Sequence, residues 1–110
     1  MTHYDPLYEL NDAIWQAGGF VNSHAHFDRA YTITPQHIKG VVYDYLHTKW
    51  LHVDEYKRKA SEEEIYQNIT NALYNQKRLL TSHCLSFIDI DPVVGFKALY
   101  AAQRAKRYAK

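Results

Sequence analysis

Apolar residues recur at helical spacing between residues 7 and 15, in the first segment of the chain. Asp5 can accept hydrogen bonds from the first turn of such a helix, and Pro6 suits its first position. Gly18 and Gly19 suit its end, because glycine readily adopts the left-handed conformation that follows many helices. The pattern predicts an N-terminal helix that stops before the glycine pair.

Two short segments, residues 20–26 and 85–90, have the composition of strands. In the first segment, alternation places Asn22, His24 and His26 on one face. The long stretch between the two segments is predicted to be helical, and a strand–helix–strand order favours a parallel pair of strands. We therefore predict an α/β fold.

Two helices are predicted between the strands. The first spans about residues 35–56, where apolar side chains follow the helical rhythm. The second begins after Ser61, because Ser61 and Glu64 have the spacing of a capping box. Its apolar stripe predicts an end near Leu79 or Leu80.

A last helix is predicted to follow the second strand. Asp91 and Pro92 are suited to begin it as cap and first-turn proline. Its apolar side is expected to consist of Val93, Phe96, Leu99 and Tyr100.

The length of 110 residues allows one small domain, residues 1–110. The net charge of +1 argues against nucleic acid as a partner, and the basic run at residues 57–59 is interpreted as a solvated helix end. No apolar run is long enough to cross a membrane. Cys84 is the single cysteine and no secretory signal is evident, so we expect a cytoplasmic protein.

The sharpest local feature is His24-Ala25-His26. Residues two apart on a strand point to the same side, so both imidazoles could reach one metal ion of the zinc type, which favours nitrogen ligands. The motif alone is weak, because seven histidines in 110 residues give roughly 0.4 such pairs by chance. The flanking residues therefore decide its interpretation.

Residues 18–28 resemble the amidohydrolase superfamily: a small-residue turn, an apolar strand, His-x-His, then an apolar residue followed by Asp28. The resemblance implies a TIM barrel whose first strand ends in the two histidines, in keeping with the position of chemistry in such barrels. His24 and His26 would then bind a catalytic divalent metal, zinc or iron. The implied reaction is metal-assisted hydrolysis of a C–N bond in a small cyclic amide or amidine.

Later segments are similar to cytosine-deaminase-like members of this superfamily. Residues 49–57 and the helix after Ser61 resemble the stretch between the first two strands of those enzymes, and residues 87–91 resemble their second strand. Ser86-Phe87 stands where they often have Thr-His. Asp89 is then the remaining inward polar group, either in the site or as a buried, hydrogen-bonded carboxylate.

A complete barrel needs about 250 residues and eight strand–helix units, whereas this chain offers about two. We predict a partial TIM barrel with an N-terminal helix, from an enzyme that acts on a small-molecule substrate. No general base is evident, so the chain alone is expected to have little or no turnover. The alternative is a non-catalytic fragment that serves as an assembly module. Bare strand edges and apolar faces favour a homo-oligomer in both cases.

Other candidate residues have simpler interpretations. His83 and Cys84 are neighbours, and neighbours on a strand point to opposite faces, so Cys84 is interpreted as buried and inert. His37, His47 and His52 lack the spacing of metal ligands. The ten tyrosines are interpreted as packing in a core or interface rather than as a substrate site.

Overall fold

The computed structural model describes residues 4–35 and 46–109 of the chain. The elements within these ranges are, in chain order, α1 (Pro6–Gln16), β1 (Phe20–Ala25), a 3-10 turn (Phe27–Arg29), α2 (Leu46–Lys59), α3 (Glu62–Arg78), β2 (Thr81–Ser86) and α4 (Lys97–Tyr108). The two strands pair in parallel. The predicted α/β class and the parallel pair are confirmed.

Helix α1 begins and ends as the sequence predicts. The Asp5 carboxylate accepts hydrogen bonds from two backbone N–H groups of the first turn, at 3.0 and 3.3 Å. Gly18 and Gly19 have positive φ angles of 106° and 76°. A Cβ on Gly19 would lie 2.8 Å from the carbonyl oxygen of Leu80. Glycine therefore lets the chain enter β1 close beside the start of β2.

Strand β2 lies earlier than predicted, at Thr81–Ser86 rather than at residues 85–90. The length of its partner explains the difference. β1 ends at Ala25, and the N–H of Phe87 donates to the Ala25 carbonyl at 2.8 Å. The chain after Ala25 turns away into Phe27–Arg29. The apolar residues that follow Phe87 therefore have no strand beside them in the described chain, and strand propensity alone does not make a strand.

Strand β1 is irregular in its second half, where the register shifts between Asn22 and Ala25. The Asn22 side chain accepts from the His24 N–H at 3.2 Å and donates to Gln76 of α3 at 3.0 Å. Such local hydrogen bonds compete with the regular ladder. Asn22 thus lies on the face that α3 covers, and the prediction that it shares a face with His24 and His26 is wrong.

Helix α3 lies at the centre of the core. Its capping box is formed as predicted, since the Ser61 hydroxyl accepts from the N–H of Glu64 at 3.1 Å. The helix ends with Leu79 at its C-cap, also as predicted. Its buried positions are Ile65, Ile69 and Ala72. They pack in one apolar cluster with Ala25, Phe27 and the inward face of α4.

Helix α4 begins later than predicted. Asp91 is a cap, but of a turn: its carboxylate accepts from the N–H groups of Val93 and Val94 at 2.9 and 3.0 Å. Gly95, with a φ of 60°, ends this turn. The N–H of Gly95 donates to the Asp91 carbonyl at 2.7 Å. The helix then starts at Lys97.

The buried face of α4 also differs from the prediction. Phe96 and Tyr100, which were expected on the apolar side, are more than half exposed. The buried positions are instead Ala98, Ala101 and Ala105. Small side chains allow α4 to approach α3 closely, which explains why the largest apolar residues do not mark the packed face.

Helix α2 continues to Lys59, past its predicted end at residue 56. Residues 36–45 of the predicted helix lie outside the described residues. The Lys97 ammonium donates to the carbonyls of Lys57 and Ala60, at 2.7 and 2.8 Å. A cation in this position satisfies carbonyls that the end of a helix leaves without a partner.

Much apolar surface is left uncovered. The described strands form a sheet of two, so each has an unpaired outer edge, and no residue of α1 is buried. Large exposed side chains on α1 and the strands are Leu7, Leu10, Trp15, Phe20, Val21 and Leu85. No helix in the described ranges is long and apolar enough to cross a membrane.

Candidate metal centre at the ends of the strands

His24 and His26 lie side by side at the carboxyl end of β1. Both side chains are exposed. Their ring centroids are 5.3 Å apart, and the ring planes are inclined by 62°. The two imidazoles therefore share one face, as the sequence predicts, although the strand itself ends at Ala25.

The separation of the rings fits a shared metal ion. Zn–N bonds are about 2.0–2.1 Å long and a ring centre lies about 1.1 Å behind its nitrogen, so two imidazoles on a tetrahedral metal have centres about 5.2 Å apart. The pair supplies two nitrogen donors of the four that such a site uses. In the described ranges, no group of three or more His, Cys, Asp or Glu side chains is placed to hold a metal.

Phe87 completes a cluster of three rings. Its centroid is 5.1 Å from that of His24 and 5.4 Å from that of His26, and its plane lies within 22° of the His26 ring. Phe87 directly follows β2. It offers no ligand atom. Instead it stacks on His26 and forms an apolar wall beside both imidazoles.

Asp89, the predicted polar group near the second strand, lies after β2 in a cluster of ion pairs. The Arg29 guanidinium donates to both of its carboxylate oxygens at 2.9 Å, and the Lys57 ammonium lies 2.8 Å away. The Arg29 hydrogen bond and the Lys57 charge hold the pKa of Asp89 at about 2. Asp89 is therefore an ionised carboxylate whose two oxygens contact cations.

Lys57 joins this cluster from α2. Its ammonium contacts Asp91 at 2.6 Å as well as Asp89, and only 12% of its side chain is exposed. The interpretation of residues 57–59 as a solvated helix end is therefore wrong for Lys57. A helix end, both strand ends and the turn before α4 meet at this point.

Asp28 is the residue that sequence reasoning left without a role. It is 4% exposed, and its Oδ2 accepts a hydrogen bond from the backbone N–H of Asp89 at 2.8 Å. Its Oδ1 is buried without a hydrogen-bond partner. Burial raises the pKa of this carboxyl above its ordinary value. The sequence feature that could have indicated a role for Asp28 is its position in the motif, two residues after His26.

The remaining candidates lie apart from the histidine pair. Cys84 packs against the core, and burial raises the pKa of its thiol. His83 lies within β2 rather than in a turn, and its ring contacts the Ser82 hydroxyl at 2.9 Å. His52 lies on α2, whereas His37 falls outside the described residues. Cys84 is partly rather than fully buried, so the predicted burial is found only in part.

Comparison with known proteins finds similarity to part of a longer protein. No family model matches the chain. An uncharacterized protein of Haemophilus influenzae is 36% identical to it over 101 residues, which cover 92% of this chain and 37% of that protein. The chain is thus similar to part of a longer protein and spans little more than a third of that protein's length.

Proposed function

We propose that the chain is part of a metal-dependent amidohydrolase, and that His24 and His26 hold its catalytic divalent metal, zinc or iron. The observation that carries the proposal is the pair of imidazoles 5.3 Å apart at the carboxyl end of the first of two parallel strands. Chemistry in (β/α) barrels is concentrated at that end of the strands. The resemblance of residues 18–28 to the superfamily supports the same assignment.

The residues of the chain would have different roles in such a site. A zinc-type metal, when bound, supplies a water that ionises near neutral pH and can attack the C–N bond of a cyclic amide or amidine. His24 and His26 would hold the metal through their ring nitrogens. Phe87 covers one face of the His26 ring and contacts the His24 ring. A general base and the substrate-binding loops would come from elsewhere in a complete barrel.

The open sheet supports the idea of a partial barrel. A closed barrel covers both edges of every strand, whereas β1 and β2 each keep an unpaired edge in the described chain. The longer Haemophilus influenzae relative has room for the missing units. We therefore expect the chain by itself to show little or no hydrolysis of cyclic amides. Ordinary enzyme rates from a pure sample would contradict this.

Cobalt titration tests the ligand assignment. Co²⁺ bound through histidine nitrogens gives visible absorption bands that are more intense than those of solvated Co²⁺. We expect these bands in the unaltered chain and in a His83→Ala control, and expect His26→Ala to lose them. His83 is an exposed histidine of the neighbouring strand, so it controls for adventitious binding. Equal weak spectra from all three proteins would contradict the assignment.

The exposed apolar surface favours a second candidate, a non-catalytic assembly module. Such a module keeps a fixed stoichiometry when metal is removed, because its contacts are apolar. A metal site shared between chains instead loses its oligomer in chelator. Gel filtration with light scattering, with and without EDTA, shows which of these two kinds of contact holds an oligomer together.

A further inference from the structure

The end of β1 and the end of β2 are linked by side chains as well as by the backbone. The Ser86 hydroxyl accepts from the N–H of Phe27 at 3.0 Å, and the Asp28 carboxylate accepts from the N–H of Asp89 at 2.8 Å. Both donors lie beyond the regular pairing of the strands. These two bonds therefore fix the segment around Phe27 against the segment that carries Phe87.

Asp28 contributes to this link at a cost. It lies in the apolar environment of the core, with one oxygen bonded and the other without a partner. A leucine, which has the same branched shape with larger methyl groups, would occupy the space without burying an unsatisfied polar atom. A leucine could not make the bond to the Asp89 N–H.

The consequence concerns the ring cluster. Asp28 is two residues after His26, and Asp89 is two residues after Phe87. The bond between Asp28 and Asp89 thus holds together the two segments that bring the His26 ring onto the Phe87 ring, 5.4 Å between centroids. Arg29 strengthens the same link by its two bonds to Asp89.

We propose that Asp28 is a positioning residue, whose bond to the Asp89 N–H holds the imidazole of His26 in place against Phe87. Its significance for metal binding rests on the proposed function. Its effect on the His26 ring does not, because that effect is a property of the metal-free chain. Groups that orient a metal ligand from behind typically change metal affinity by about 10- to 100-fold when removed.

Two substitutions separate the hydrogen bond from the filling of space. Asp28→Asn keeps an oxygen that can accept from the Asp89 N–H. Asp28→Leu keeps the branched shape of the side chain, with methyl groups larger than the carboxylate oxygens, and removes the acceptor. The direct readout in the metal-free chain is the proton NMR shift of the His26 ring, which the stacked Phe87 ring displaces. Phe87→Leu gives the reference value without the stacked ring.

We expect Asp28→Asn to keep the displaced His26 signal and Asp28→Leu to move it to the Phe87→Leu value. In zinc titrations, Asp28→Leu should bind about 10- to 100-fold more weakly than Asp28→Asn. An undisturbed His26 signal in a folded Asp28→Leu chain would overturn the proposal. So would loss of the signal in a folded Asp28→Asn chain, which decides the matter if the leucine variant does not fold.

The two readouts also separate this proposal from the proposed function. Failure of the unaltered chain to bind zinc would count against the function alone, since the NMR comparison needs no metal. Zinc binding that is equal in Asp28→Asn and Asp28→Leu, together with an unmoved His26 signal, would count against Asp28 alone.

Discussion

The carboxylate of Asp89 is surrounded by cations from two other elements. Arg29 donates to it from the turn after β1 and Lys57 from α2. A carboxylate whose pKa is lower in the folded than in the unfolded state stabilises the fold above its unfolded pKa and loses that contribution as the pH falls. For Asp89 the window runs from its ordinary value of 3.8 down to about 2.

We expect Asp89→Asn to lower the free energy of unfolding by about 2 kcal/mol at neutral pH. The difference from the unaltered chain should shrink as the pH falls from about 4 to about 2, because both proteins are then uncharged at this position. Urea denaturation at a series of pH values measures it. A difference that does not change with pH would contradict the role assigned to the charge. Glu63→Gln, in an exposed pair with Arg104, is the control.

Gly19 allows the close approach of α1, β1 and β2. We expect Gly19→Ala to lower the free energy of unfolding by roughly 1–3 kcal/mol, because φ is positive and the new Cβ meets the Leu80 carbonyl. Gly18→Ala has a positive φ but no atom within 4 Å of its Cβ, so it should cost less. Equal losses in thermal denaturation would show that the contact does not matter.

At the scale of elements, local signals were predicted better than pairing. The capping box of Ser61 and Glu64 and the glycine pair after α1 act within a few residues, so the sequence alone locates α3 and the end of α1. The bounds of β2 depend on where β1 ends, and the residues of β2 do not encode that point. The polar residues of Thr81–Ser86 therefore form the strand, while the more apolar residues after Phe87 do not.

The packed face of α4 is an alanine face, and hydrophobic spacing does not reveal it because alanine is weakly apolar. We expect Ala101→Leu to lower the free energy of unfolding by about 1–3 kcal/mol, since Ala101 is fully buried against α3 and a larger side chain overpacks the contact. Gln103→Leu, on the exposed side of α4, is the control and should change it little. Similar stability for both variants would contradict the observed orientation of the helix.

The candidate site shows the same division between local and distant information. The histidine pair is predictable because both residues belong to one strand end. The environment of the pair is not, because Phe87 reaches it from the segment after β2, about sixty residues away in the chain. The role of Asp28 depends on a bond to the backbone of Asp89, which no side-chain pattern records.

At the scale of the whole molecule, uncovered apolar surface dominates. α1 buries none of its residues, and both strands expose large side chains. Surfaces of this kind are normally covered by another segment or another chain. The proposed partial barrel would account for them, because further strands and helices of a complete barrel would lie against the open sheet.

We expect the isolated chain to associate with itself, so that its apparent mass rises with concentration in light scattering. Leu10→Glu should reduce the association, because it places a charge on the exposed apolar side of α1. Asn11→Glu adds the same charge at an exposed polar position of the helix and should not. A chain that stays monomeric at all concentrations would contradict the prediction.

His24 and His26 are proposed to form one metal-binding site, and the zinc content per chain is the measurement that decides this. The protein is equilibrated with Zn²⁺, gel-filtered at a known oligomeric state and measured by elemental analysis. We expect about one zinc per chain in the unaltered protein and in His83→Ala. We expect His24→Ala to retain no zinc. A folded, unaltered chain that retains no zinc would contradict the assignment of His24 and His26 as metal ligands.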